Sequence, residues 1–168
     1  MTLEELNKID SEEAVIELTK CCGAHHWVDR MVSSRPFEDQ DALFDAAEEF
    51  WFDGGESDWL EAFTHHPKIG DVESLSEKYA NTKAWAGTEQ KSVDTAPLAV
   101  VEKLAELNAL YEHTFGFIFI VCATGKTAEE MLEILESRIG NEYQEELKIA
   151  MVEQYKITTL RMKKLIVS

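Results

Sequence analysis

Apolar residues along this chain recur with the three-to-four-residue rhythm of a helix, between start and stop signals that leave little room for sheet. Leu43, Phe44, Ala47, Phe50 and Trp51 fall on one helical face, and Gly54-Gly55 ends that run. Ser57 then reads as the cap of a short helix carrying Leu60 and Phe63, which cannot pass Pro67 unbroken. From Thr95 a longer helix takes Pro97 in its first turn and sets Leu98, Val101, Leu104, Asn108 and Tyr111 along one side. Thr127 and Glu130 have capping-box spacing ahead of Met131, Leu132, Ile134 and Leu135, with Gly140 as the stop. Asn141 opens the last and longest helix, and two or three more turns of helix precede Pro36. Only Phe117-Ile118-Phe119-Ile120-Val121 is aromatic and β-branched enough for a strand, and it has no partner strand. The expectation is therefore an all-α fold: one domain over residues 1–168, about eight helices and one extended core segment. The polar connection from residue 68 to residue 91 is its loop-rich part.

The totals narrow the function classes. A chain of 168 residues, 45% apolar and 29% charged, is large enough to bury a core and too apolar for disorder. Its 16 basic and 33 acidic side chains leave a formal charge of −17, a field that repels nucleic acid. The start, Met1-Thr2-Leu3-Glu4-Glu5, lacks the basic and apolar regions of a secretion signal. The longest apolar run, from Phe115 to Ala123, falls well short of the ~20 residues a membrane span takes. The ending Leu165-Ile166-Val167-Ser168 is not a peroxisomal signal. Three cysteines, with Cys21 and Cys22 adjacent, make neither a disulfide framework nor a paired zinc site, and point to a reducing cytoplasm.

Five constellations invite a chemical reading. Gly125-Lys126-Thr127 opens a helix after an apolar run, but a phosphate loop needs a glycine where Ile120 stands; a helix start with a solvated lysine accounts for it better. His25, His26, His65, His66 and His113 are possible metal ligands, yet adjacent histidines diverge and no pair has the i, i+4 spacing of a metalloprotease helix. His66 stands where a helix stops at Pro67 and Gly70 lets the backbone turn. It is either an imidazole held rigidly against a cavity or a helix-end histidine facing the dipole. Glu89-Gln90, after Trp85-Ala86-Gly87-Thr88, pairs a carboxylate acceptor with an amide that both donates and accepts, as ureides require; it is otherwise an ordinary polar loop. Arg161 falls on the helical face of Leu147, Ala150, Met151 and Leu165, a costly position unless it meets a carboxylate or an anionic ligand.

Together these segments resemble one family over nearly the whole chain and in the right order. Arg35-Pro36-Phe37, Glu61-Ala62-Phe63 leading to His66-Pro67-Lys68-Ile69-Gly70, and Glu89-Gln90 belong to its pattern. So do Leu107-Asn108-Ala109-Leu110-Tyr111, Phe115-Gly116-Phe117-Ile118-Phe119 and Ile157-Thr158-Thr159-Leu160-Arg161. The family is 2-oxo-4-hydroxy-4-carboxy-5-ureidoimidazoline (OHCU) decarboxylase, which forms (S)-allantoin on the route from urate. The resemblance implies an all-helical fold, a homodimer, and no metal or organic cofactor. It implies His66 as catalytic acid/base. Substrate contacts would come from Pro67, from Ala86, Gly87, Thr88, Glu89 and Gln90, from Phe119, Ile120, Val121, Cys122 and Ala123, and from Arg161. Ala86 departs from the serine common in the family and loses any hydroxyl contact there.

The residue types suit that chemistry. A histidine titrates near neutrality and can both take and give protons. Glu89 would orient the imidazole and bind ureido N–H groups, Gln90 would read the ring, and Arg161 would pair with Glu89 or with the substrate anion. The partner expected is thus a small molecule, with neither nucleic acid nor membrane, and the chain reads as a stand-alone decarboxylase. Two rivals are an acidic, non-enzymatic helical interaction module and a metal-dependent ureide or amide hydrolase. The first leaves Arg161 and the His-Pro and Glu-Gln loops without a purpose; bound metal would favour the second.

Overall fold

A computed structural model of the chain describes residues 1–66 and 98–167. Among the described residues there are eight helices and no strand: α1 (Leu3–Lys8), α2 (Ser11–Thr19), α3 (His25–Ser33), α4 (Gln40–Phe52), α5 (Glu56–Thr64), α6 (Leu98–Phe115), α7 (Ala128–Arg138) and α8 (Tyr143–Leu165). The all-α expectation holds. Thr95, Pro97 and the connection from residue 68 to residue 91 lie outside the described residues. The chain divides into two compact units, Met1–His66 with Met151–Ser168, and Pro67–Ala150. No helix among the described residues is long and apolar enough to cross a membrane.

Local signals set most helix ends. Thr2 and Glu5 form a capping box on α1, Asp10 accepts the Glu13 N–H at 2.8 Å on α2, and Asp39 accepts the Ala42 N–H at 2.8 Å on α4. The Thr127–Glu130 box on α7 is closed both ways at 3.1 Å, and each such cap contributes about 1 kcal/mol. Three boundaries differ from the sequence reading. α5 starts at Glu56, with Gly55 rather than Ser57 as its cap, and Asp58 accepts the Gly55 N–H. α8 starts at Tyr143, two residues late, and the Asn141 side chain ahead of it donates to Glu146 Oε2 at 3.1 Å. Before Pro36 stand three separate helices, more than the few turns expected.

The first unit packs α3 against α2, α4 and α5. Trp27, Met31, Leu43, Trp51 and Met162 are nearly inaccessible in its core. The indole N–H groups of this unit's buried and half-buried tryptophans find backbone acceptors. Trp27 donates to Ala47 O, Trp59 to Trp51 O and Trp51 to Met151 O, each at 3.0 Å. The last of these fastens α4 to α8. Arg35, ahead of a cis peptide to Pro36, donates to the carbonyls of Leu6 at 2.7 Å and Ile9 at 2.9 Å, groups the end of α1 leaves unpaired. Asn7 and Phe37 exchange two hydrogen bonds of 2.9 Å beside it.

In the second unit α6 packs on α7. Val101, Leu104, Leu107 and Tyr111 on α6 and Ala128, Met131 and Leu135 on α7 are buried. Gly116, at φ +80°, lets the chain leave α6 in a conformation that penalises side chains. The next residues run as neither helix nor strand and bury Phe117 and Ile120, the core segment anticipated from the sequence.

Candidate active site

His66 owes its position to the way α5 docks on the start of α3. Ala24 offers α3 no side-chain cap, and Glu61 supplies the missing acceptor. One carboxylate oxygen receives the His25 backbone N–H at 2.7 Å, and His25 Nδ1 lies 2.8 Å from both oxygens. Burial works to raise the Glu61 carboxyl, but hydrogen bonds from the His25 ring and backbone outweigh it and hold the group below its usual range. The same contact raises the His25 imidazole. Glu61 thus acts as an anion at a helix N-terminus, joining two elements rather than facing a ligand.

One turn later the paired histidines part. The exposed His65 packs against Gly23, where a Cβ would stand 2.3 Å from His65 Cγ. Neither ring nor backbone can yield that much, so Gly23→Ala must displace the end of α5. The expected cost is ~1–3 kcal/mol of overpacking, read as a lower urea midpoint with an unchanged m-value; an unchanged midpoint would refute this contact.

The half-buried His66 turns instead toward α8, where its Nε2 hydrogen-bonds the Gln154 amide oxygen. Gln154 is 1% exposed and Thr158 2%, and the Gln154 amide donates to Thr158 Oγ1 at 3.0 Å. Burial pushes the Cys22 thiol up to about 11 against hydrogen bonds from the Ala24 backbone and Thr158, and burial pushes Cys21 up to about 12. Both are inert thiols rather than nucleophiles. Arg161 lies close enough for its charge to act on both sulfurs. It is half-buried, and among the described residues no ion pair to it is found. Gln154, Thr158 and Arg161 share one side of α8, being spaced by four and then three residues.

In the second unit the segment from Phe119 onward is held by a buried charge. Arg138 donates to the Ile120 carbonyl at 2.8 Å, and its guanidinium lies 4.7 Å above the Phe119 ring. Its counter-ion is Glu146, fully buried, which accepts Arg138 Nε–H at 2.7 Å and also the Tyr111 hydroxyl. Burial, then the Glu146 hydrogen bond, drive the Tyr111 phenol far above its ordinary range, so it stays a donor. Val121, Cys122 and Ala123 are half-buried. Lys126, expected to be solvated, donates to the Cys122 carbonyl at 2.6 Å, so in Gly125-Lys126-Thr127 the lysine serves the backbone.

Pro67, Ala86, Gly87, Thr88, Glu89 and Gln90 lie outside the described residues. His66 and Arg161 belong to one unit, and Phe119, Ile120, Val121, Cys122 and Ala123 to the other. Sequence reasoning missed Gln154, Arg138 and Glu146. Gln154 stands seven residues before Arg161, two turns along the same face; Arg138 stands three after Leu135 on the buried face of α7. Arg138 was findable by the test that singled out Arg161; Gln154, being uncharged, was not. The arrangement gives a half-buried imidazole with one nitrogen hydrogen-bonded to a buried amide, a group able to take and give protons.

The OHCU decarboxylase family model matches residues 7–163. The chain is 41% identical over 146 residues to the uric acid degradation bifunctional protein TTL of Arabidopsis thaliana, covering 86% of this chain and 45% of that protein. It is 24% identical over 163 residues to the 2-oxo-4-hydroxy-4-carboxy-5-ureidoimidazoline decarboxylase of Haloferax volcanii, covering 96% of this chain and 94% of that one. A crystal structure of OHCU decarboxylase in the presence of (S)-allantoin superposes with a TM-score of 0.70 at 39% identity, over 94% of this chain and 98% of the other. The chain spans less than half the length of the bifunctional relatives it matches first. With the matched residues running through all eight helices, this chain belongs to the OHCU decarboxylase family.

Proposed function

We propose that this chain converts 2-oxo-4-hydroxy-4-carboxy-5-ureidoimidazoline to (S)-allantoin and carbon dioxide, with His66 as the acid/base. The observation that carries this reading is the family match across residues 7–163, together with a half-buried histidine anchored at the position the family pattern assigns. The same match runs across both compact units, which supports treating residues 1–168 as one functional domain. A homodimer, implied by the family resemblance, and a cytoplasmic setting, read from the three cysteines, form part of this proposal.

The reaction carries its own electron sink. The bond from C4 to its carboxylate breaks, carbon dioxide leaves, and the electron pair forms a C4–C5 double bond. The former C5=N pair moves onto the ring nitrogen, which takes a proton from water. The C4 hydroxyl then gives up its proton, a C4 carbonyl forms, and C5 is protonated on one face. The carbanion never needs an external conjugated group, which supports cofactor independence. The protein's task is to orient the carboxylate and ureido group and to move two protons. His66 would take the hydroxyl proton and deliver one to C5, Arg161 would meet the anion, and Glu89 and Gln90 would bind the ureido group and ring. The backbone of Phe119, Ile120, Val121, Cys122 and Ala123, with Pro67, Ala86, Gly87 and Thr88, would line the substrate.

Chiral analysis of allantoin made from freshly generated substrate tests this directly. The expected product is mainly the S form, made faster than the spontaneous reaction. A racemic product at the spontaneous rate would refute the assignment.

A further inference from the structure

We propose that Gln154 is a positioning residue for His66: its amide oxygen, held in place through Thr158, accepts the Nε2–H of the imidazole and selects that tautomer. The inference rests on His66 being the acid/base, as proposed above, and adds which side chain sets its proton.

The direction of each hydrogen bond follows from the one before. Thr158 Oγ1 accepts its hydrogen bond from the Gln154 side chain. The group 3.0 Å from it is then the Gln154 NH₂, which turns Oε1 toward His66. An amide oxygen can only accept, so the ring nitrogen facing it carries hydrogen. In the neutral ring the lone pair is then on Nδ1, which is the basic nitrogen. Burial argues that this is more than incidental contact. Gln154 is 1% exposed, and a buried amide left unpaired is costly, so the side chain cannot swing away without losing partners at both ends. Both of its hydrogen-bond partners are side chains, and one of them is His66.

The test reads the ring directly. Uniformly ¹⁵N-labelled protein at about pH 8, where an ordinary histidine is neutral, gives ring nitrogen–proton correlations. The His66 signals are those lost in His66→Asn. Wild type should show the Nε2–H tautomer alone. Gln154→Met, close in volume but without an acceptor, should show a mixture, with kcat down ~10–100-fold and KM little changed, as when an orienting partner is lost. Thr158→Val, which leaves Gln154 in place but frees its amide, should move both readouts the same way by less, and it carries the test if Gln154→Met does not fold. An Nδ1–H tautomer in wild type, or a tautomer unmoved in the folded variants, overturns the proposal. Racemic product from wild type would instead remove the decarboxylase reading, while the tautomer measurement still decides the role of Gln154.

Discussion

His66→Asn should lower turnover by ~10²–10⁴-fold, the usual worth of a positioned acid/base, while the fold persists. The expectation separates chemistry from structure because the neighbouring histidine is a built-in control. His65 is exposed and leans on Gly23, whereas His66 is half-buried and reaches Gln154 across to α8. His65→Asn should therefore keep turnover within about twofold, since a group directed elsewhere contributes nothing to the transition state. The spontaneous decarboxylation continues without the enzyme, so rate alone understates the loss. Handedness does not: with no group to protonate C5 from one side, the His66 variant should leave near-racemic allantoin. Equal, stereospecific turnover in His66→Asn would reduce this histidine to a helix-end residue and withdraw the proposed mechanism.

The contrast between the two histidines was half-legible in the sequence. Pro67 announces that α5 must end, which places His66 at a helix terminus, and adjacent helical positions diverge by about 100°. Which of the two would face inward depended on Gly23, forty residues away, and on α8. Local signals transmit well for the same reason: the Thr127–Glu130 box and the Gly54-Gly55 stop act within one turn, where sequence distance and spatial distance agree. Gln154 was missed because a glutamine in a helix carries no cost that shows in a pattern until its burial is known. Arg138 and Glu146 were missed for a different reason. They sit eight residues apart across the Gly140 turn, so their pairing is invisible to i, i+4 arithmetic and appears only once α7 and α8 fold back. The Ser57 and Asn141 starts failed where other local contacts set the helix end: Asp58 accepts the Gly55 N–H ahead of α5, and the Asn141 amide donates to Glu146 ahead of α8.

Glu146→Leu should be the most destabilising single change in the second unit, by ~3–5 kcal/mol, because it strands an arginine in the interior. Glu146 is fully buried and Arg138 is 5% exposed, so neither can turn to water. With the carboxylate gone, Arg138 keeps only the Ile120 carbonyl, the Phe119 ring face and a long 3.5 Å contact with the Tyr111 hydroxyl. Tyr111 and Asn141 lose their acceptor at the same time. Against a domain stability of ~5–15 kcal/mol the loss is a large share, and at ~2–4 °C per kcal/mol the melting temperature should fall by about 10 °C. A second substitution distinguishes a stranded charge from lost packing. Replacing Arg138 with Met in the Glu146→Leu background removes the charge, so the double variant should be more stable than Glu146→Leu alone. Alkali gives a third reading. The folded Tyr111 phenol titrates above its unfolded value, so the unfolded state releases its proton first and stability should fall as pH rises past ~10. In Tyr111→Phe that part of the alkaline loss should disappear. A double variant no more stable than Glu146→Leu would mean that the carboxylate's packing, not its charge, holds Arg138 against the Phe119 segment.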